Sequence, residues 1–251
     1  MEMYLENKTA LVTGGNRGLG RAMALELARH GAKVLIVGRN QEKTEETIEI
    51  GKKQNLNLVP YFCDLADETE INNLKARIIK EHNSPHVLIN NAGTAIRKVV
   101  SDLSLSEWNK VMDINLTSAF LLSKAFIPGM KEYKWGRIIN LTSIMAHIGS
   151  AERAVYCASK HALMALTKCM ALELVDHGIN VVAISPGYYE TDLTAPLRKN
   201  EDANNELMKN TPAKRWGKPE EIGKIAAFIC SPAANFMTGN DILSDGGWVA
   251  Q

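Results

Sequence analysis

From end to end the chain alternates between short β-branched runs and longer stretches with helical spacing, and this alternation narrows its possible folds more than any other feature. The apolar runs fall at 9–13, 33–37, 57–63, 87–90, 137–142, 180–185 and 241–244. Helical stretches lie between them, at 18–30, 41–54, 68–82, 106–133, 153–177 and 219–230. Strands separated by helices of this length read as successive βαβ units, which lay the strands parallel in one sheet. A run such as Val34-Leu35-Ile36-Val37 is apolar on both faces, as a strand must be when helices cover both sides of the sheet. No Pro/Gly/Ser-rich linker, low-complexity tract or internal repeat interrupts the series. The expectation is one α/β domain, 1–251, with a doubly wound, seven-stranded parallel sheet flanked by helices on both faces. One stretch departs from the pattern. From 188 to 216 the chain is polar and loop-like, with a weak helical signal near 192–208. An insertion this long reads either as a lid over a substrate site or as an ordinary exposed helix-loop.

A length of 251 residues suits a single domain of this class. Lys and Arg number 29 against 28 Asp and Glu, a formal net charge of +1. That balance argues against a chain built to neutralise nucleic acid or an anionic membrane surface. No apolar run approaches the roughly 18 residues of a membrane span. The first eight residues carry Glu2 and Glu6 and lack the apolar core of a signal peptide. Cys63, Cys157, Cys169 and Cys230 form no CxxC pair and have no His at metal-ligand spacing. Each sits among apolar neighbours and reads as a small buried hydrophobe. The expected setting is the reducing cytoplasm, with no metal site.

The strand Ala10-Leu11-Val12 runs into Thr13-Gly14-Gly15-Asn16-Arg17-Gly18-Leu19-Gly20 and then a helix. Glycines between strand and helix permit a tight turn and a close backbone approach to a pyrophosphate. The free N–H groups and positive end of the helix favour the same anion. The spacing is T-G-x-x-x-G-x-G rather than the commoner G-x-G-x-x-G. Its place at the first strand-to-helix crossover is nonetheless where a Rossmann-type fold carries its dinucleotide fingerprint. The second strand then ends in Gly38-Arg39-Asn40. An NAD site has an Asp or Glu here for the ribose 2′-hydroxyl. A carboxylate would repel a 2′-phosphate, whereas Arg39 and Arg17 can grip it in charge-assisted forks. The expected cofactor is NADP(H); the plain alternative is two solvated arginines.

Tyr156-Cys157-Ala158-Ser159-Lys160 opens a helical stretch, and a spacing of four puts Tyr156 and Lys160 on one face. A free phenol titrates near pH ~10, too high for an efficient base at neutrality. A neighbouring ammonium favours the phenolate and is expected to lower that value. Such a pair can move a proton to or from a carbinol oxygen, although Y-x-x-x-K alone is common on structural helices. Asn90-Asn91-Ala92-Gly93 and Ser143 stand at the ends of strands, where open α/β sheets bind ligands.

With Asn115, Pro186-Gly187 and the glycine turn, these residues match in order and spacing, and the chain resembles the short-chain dehydrogenase/reductase family over essentially its whole length. The resemblance implies that Tyr156 is the acid/base, that Lys160 lowers its pKa and binds the nicotinamide ribose, and that Ser143 holds the substrate oxygen. It implies that Asn115 kinks its helix and anchors a water linking Lys160 to solvent. It puts Gly14, Asn16, Arg17, Gly18, Leu19 and Gly20 on the phosphates, Asp64 and Leu65 at the adenine, and Asn91, Ala92 and Gly93 at the adjoining ribose. Pro186, Gly187 and Thr191 would face the nicotinamide. Asp64 reads equally as the N-cap of the helix that follows it.

Tyr188-Tyr189-Glu190-Thr191-Asp192, Arg215-Trp216-Gly217 and the terminal Asp245-Gly246-Gly247-Trp248 look like the gluconate 5-dehydrogenase and deoxygluconate dehydrogenase branch. In that branch a basic residue at the position of Arg97 faces a sugar-acid carboxylate. Arg97 with Lys98 also reads as a solvated loop. His147, Arg153 and Tyr188 are further substrate candidates. The competing reading is 3-oxoacyl-[acyl-carrier-protein] reduction, which would want a basic rim such as Lys124, Lys131, Lys134 and Arg137 for an acidic carrier. A non-catalytic NADP(H)-binding sensor is the third reading, against which the complete Asn115, Ser143, Tyr156, Lys160 set argues. Apolar residues on more than one helix face (Phe120, Leu121, Leu122, Phe126; Leu163, Met164, Leu166, Met170) suggest subunit contacts. The family resemblance implies a homotetramer.

Overall fold

Strands β1 (Thr9–Thr13), β2 (Lys33–Gly38), β3 (Leu58–Phe62), β4 (Val87–Asn90), β5 (Gly136–Leu141), β6 (Ile179–Pro186) and β7 (Asp241–Ser244) follow the expected runs closely. In the computed structural model, which describes residues 2–251, they form one seven-stranded sheet in the order β3-β2-β1-β4-β5-β6-β7. Every pairing is parallel. The order runs outward in opposite directions from β1 and β4, so the switch point, where such sheets open a crevice, lies between them. All residues of β4, β5 and β6 are buried. Pro60, which cannot donate to a ladder, is confined to the edge strand β3.

Helices α1 (Gly18–Arg29), α2 (Gln41–Lys53), α3 (Glu68–His82), α4 (Leu105–Met112), α5 (Ser118–Tyr133), α6 (Ala154–Leu174), α7 (Ala195–Lys199), α8 (Glu201–Asn210) and α9 (Pro219–Cys230) connect them. On one side of the sheet, Met23 and Leu27 of α1 pack with Ile222 and Ile229 of α9. On the other, Ile71 and Ile78 of α3 meet Phe126 of α5 and Met170 of α6. Among the described residues no helix is long and apolar enough to cross a membrane, and no cluster of metal-ligating side chains occurs.

Several expectations need correction. The stretch 106–133 is two helices, α4 and α5, joined by a π-helical turn, Asp113–Thr117. Inside that wider turn the Asn115 side chain leaves to bond Thr94 and Ser159, a competing hydrogen-bond set that accounts for the break. The weak helix near 192–208 is likewise two helices, α7 and α8, the second capped by Asn200. Cys63, Cys157 and Cys230 are buried free thiols, but Cys169 is exposed. Leu122, Phe126, Leu163, Met164 and Met170 are core residues, because the two helices are clamped between sheet and neighbours. Phe120, Leu172 and Val175 are the apolar residues that α5, α6 and the turn after it leave exposed. Arg137 is buried in β5, bonded to Ile229 O, Gly136 O and Asn235 Oδ1, and belongs to no docking rim.

A buried polar ladder crosses the layers beneath the strand ends. Asn90 Nδ2 donates to Asn140 Oδ1 (2.8 Å), and Asn140 Nδ2 donates to Thr167 Oγ1 on α6 (2.9 Å). Asn140→Val keeps the volume close but leaves the Asn90 amide short of an acceptor, an expected loss of about 2–3 kcal/mol. Thermal unfolding would then shift down by roughly 4–12 °C for a chain of this size. An unchanged midpoint would show that the ladder contributes nothing to stability.

Candidate active site

At the switch point the turn after β1 is bonded to the turn after β4. Thr13 Oγ1 accepts from Asn91 N (2.9 Å) and Ala92 N (3.0 Å), and Asn91 Nδ2 donates to Thr13 O (2.7 Å) and Gly14 O (3.2 Å). Gly14 sits at φ +63°, in the left-handed region. Gly20 has no alternative, because a Cβ there would lie 2.2 Å from Gly14 O. The N-terminus of α1 therefore presses against the turn. Its N-cap, Arg17, makes no side-chain cap, so the first N–H groups of α1 keep their capacity for an anion.

The resulting cleft measures about 510 Å³. It is lined at one end by Gly14, Asn16, Arg17, Gly18, Leu19 and Gly20, then by Arg39, Asp64 and Leu65. It continues past Asn91, Ala92 and Gly93 to Ser143, Tyr156, Lys160, Pro186, Gly187 and Thr191. No carboxylate closes the end of β2. Arg39 Nη1 instead reaches Asp64 Oδ2 at 3.0 Å, across the mouth of the cleft. A backbone cradle, a free helix end and guanidinium groups at the rim fit an extended dinucleotide with a charged ribose substituent. Asp64 is not the cap of α3. That cap is Asp67, which accepts from Thr69 N and Glu70 N. Asp64 accepts from Ala66 N, and with Arg39 this hydrogen bonding carries its carboxyl below the usual range against the opposing effect of burial.

At the other end, Tyr156 and Lys160 share a face of α6, with Lys160 Nζ 5.8 Å from the centroid of the Tyr156 ring. The expected lowering of the phenol by the ammonium is not found. Burial pushes the Tyr156 phenol up, while the Ser143 hydroxyl facing it and the charge of Arg153 pull the other way. Burial also takes Lys160 down to about 8. Its ammonium donates to Leu141 O at 2.6 Å, a backbone partner that no sequence pattern marks. Asn115 does not touch Lys160. Its Oδ1 accepts from Thr94 N (2.8 Å), and its Nδ2 donates to Thr94 O and Ser159 Oγ (both 3.0 Å). The two still face a common point above Gly93, whose missing Cβ would lie 3.5 Å from Asn115 Oδ1 and 3.7 Å from Lys160 Nζ.

Of the substrate candidates Ser143 lines this cleft, whereas Arg97, His147, Arg153 and Tyr188 do not. Tyr188 packs with Tyr156, Ile144, Met145 and Trp248 in an apolar cluster beside Ser143. Arg153 and Arg97 both act on the Tyr188 phenol, partly offsetting the burial that raises it. Lys98 is held by Glu107 at 2.6 Å, but neither Arg97 nor Arg153 has a carboxylate partner among the described residues. His147 is turned the other way, toward Asp241 and Ser185. Its spacing from Ser143 gave no hint of this, because the partners come from β6 and β7.

The family described as enoyl-(acyl carrier protein) reductase matches residues 14–249. The 2-dehydro-3-deoxy-D-gluconate 5-dehydrogenase of Formosa agariphila is 36% identical over 98% of this chain and 94% of its own. The 3-oxoacyl-[acyl-carrier-protein] reductase of Aquifex aeolicus is 35% identical over 98% of this chain and 99% of its own. Among solved structures, a gluconate 5-dehydrogenase of Burkholderia cenocepacia in complex with NADP and tartrate superposes with a TM-score of 0.93. It is 30% identical, covering 100% of this chain and 98% of its own. With a dinucleotide-shaped cleft at the switch point and a tyrosine–lysine face beneath it, the chain belongs to the short-chain dehydrogenase/reductase family of oxidoreductases.

Proposed function

We propose that this oxidoreductase uses NADP(H) to interconvert a secondary alcohol and a ketone on a sugar acid. The observation that carries the substrate class is the pair Arg97 and Arg153. Two guanidinium groups without carboxylate partners among the described residues both act on the phenol of Tyr188, which packs beside Tyr156, and a substrate carboxylate would complete them. The relative named for 2-dehydro-3-deoxy-D-gluconate and the neighbour crystallised with tartrate support a hydroxy-acid ligand. Arg17 and Arg39 would hold the 2′-phosphate, with Asp64 placing Arg39 beforehand. The α1 N-terminus would hold the pyrophosphate.

When bound, the nicotinamide supplies or takes up the hydride. Tyr156 handles the proton at the substrate oxygen. Because its phenol is pushed up, it is protonated at neutral pH and stands ready as the acid for ketone reduction. Ser143 orients that oxygen and donates to it as negative charge develops. Lys160, brought down to about 8 and held by Leu141 O, would bind the nicotinamide ribose on the same helix face. Asn115 holds the Thr94 backbone and Ser159 in place around it. In the reverse direction Tyr156 must be deprotonated, so alcohol oxidation gains from rising pH.

Residues 188–216 act as a lid in this reading, since Thr191, Asp192, Leu193 and Thr194 line the cleft while α7 and α8 extend beyond it. Exposed Phe120, Leu172 and Val175 provide surface for a homotetramer. Free thiols suit a reducing cytoplasm. The acyl-carrier reading shares the motifs, but its basic rim loses Arg137 to the core.

The deciding experiment follows NADPH absorbance with 5-ketogluconate, other keto-sugar acids and an acetoacetyl thioester side by side. Preference for the thioester would overturn the sugar-acid assignment. Tyr156→Phe should retain NADPH binding and lose about a hundredfold or more in turnover, the scale of a lost general acid; near-normal turnover removes Tyr156 from the chemistry. Arg39→Asp should shift the kcat/KM ratio toward NADH by about tenfold or more, as expected for a lost charge-assisted bond. An unchanged ratio would show that Arg39 does not read the 2′-phosphate. Arg97→Ala and Arg153→Ala should each raise KM for a keto acid by about tenfold and spare a neutral ketone. Equal effects on both substrates would mean that neither guanidinium binds a carboxylate.

A further inference from the structure

Ser143 follows β5 and begins a single 3₁₀ turn, Ile144–Ala146. The residue before it and the residue that ends the turn are tied to the same place. Thr142 Oγ1 lies 2.7 Å from Ser185 Oγ on β6, and Ser185 Oγ donates to Asp241 Oδ2 on β7 at 2.8 Å. His147 Nε2 lies 2.5 Å from that same Asp241 oxygen and 3.2 Å from Ser185 Oγ. A ring of side chains thus closes around the Ser143 turn and ties it to two strands beyond its own.

One carboxylate closes this ring. The Asp241 side chain is 11% exposed, and its other oxygen, Oδ1, is buried without a hydrogen-bond partner among the described residues. All compensation for a nearly buried carboxylate therefore passes through Oδ2, to one imidazole and one hydroxyl. Ser185, His147 and Asp241 do not form a nucleophilic relay. A relay places acid and nucleophile on opposite ring nitrogens, whereas here both meet Nε2, and Ser185 is fully buried.

We propose that Asp241, with Ser185, anchors His147 and so positions the Ser143 hydroxyl, making His147 a positioning residue for the reaction rather than a substrate contact. The inference rests on the reading of Ser143 given above. A hydroxyl that steers a reacting oxygen must be held tightly, since about 1 Å of misplacement can cost a hundredfold in rate.

The test combines amide hydrogen exchange with kinetics on the full-length protein. His147→Leu removes the ring nitrogen, and His147→Gln keeps a donor at nearly the same position. In His147→Leu, amides 144–147 should exchange about tenfold faster or more, the scale of one lost hydrogen bond to a charged group, with β6 amides unchanged. Asp241→Asn should give the same signature, and serves if the leucine variant does not fold. His147→Gln should stay within about threefold of wild type, since its amide restores the donor. In NADPH oxidation with the best substrate of the panel above, His147→Leu should lower kcat by about tenfold with KM for NADPH unchanged. In a Ser143→Ala background the same change should cost nothing further. Unaltered exchange in both variants, or an equal loss of kcat in both backgrounds, would overturn the anchor alone. Wild-type turnover in Ser143→Ala and Tyr156→Phe would instead overturn the site assignment, and the proposal with it.

Discussion

The bond between the turns after β1 and β4 is the constraint on which the site depends. Thr13 and Asn91 each satisfy backbone groups of the opposite turn, at the one place where the strand order reverses. The crossovers that follow β1 and β4 leave for opposite faces of the sheet. Here they part, and the side-chain bonds stop the gap from closing or shearing. The glycine turn can then press against α1, and Gly14 and Gly20 are the residues that allow the approach.

At the Tyr156 end of the cleft the electrostatics come from burial before they come from charge pairing. Tyr156 and Lys160 lie on one face of α6, yet both are displaced from their ordinary values by lost water, the phenol upward and the ammonium downward. The consequence is a phenol pushed up on the same helix face as a lysine brought down to about 8. Such an arrangement favours delivering a proton over abstracting one. The Ser143 hydroxyl and the charge of Arg153 temper the phenol, so any further charge brought beside it will alter the balance.

Much of this was legible in the chain. Helix and strand periods differ, so the alternating pattern located seven strands within a few residues, and parallel order followed from the helical length between them. The lining of the cleft was legible because its signals are local: glycines at a crossover, residues at strand ends, a tyrosine and lysine four apart. The errors share a cause. The burial of Arg137, the outward turn of His147 and the cap at Asp67 are all settled by partners distant in sequence or by competition between near neighbours; the break at Asn115, by contrast, falls where the family resemblance put a kink. Phe126 and Met170 likewise read as excess apolar surface only while their neighbours across the core are unknown.

The amino-acid order alone determined the fold class, the glycine turn after β1, the missing carboxylate after β2 and the tyrosine and lysine that share a face of α6, because each depends on residue type and short spacing. Only the tertiary structure decided which polar groups lose their water and which find a partner. That decision set the direction of the Tyr156 and Lys160 shifts, the Arg39–Asp64 contact and the ring around Ser143. Desolvation and pairing are properties of three-dimensional neighbourhoods, and a linear chain carries no direct record of them.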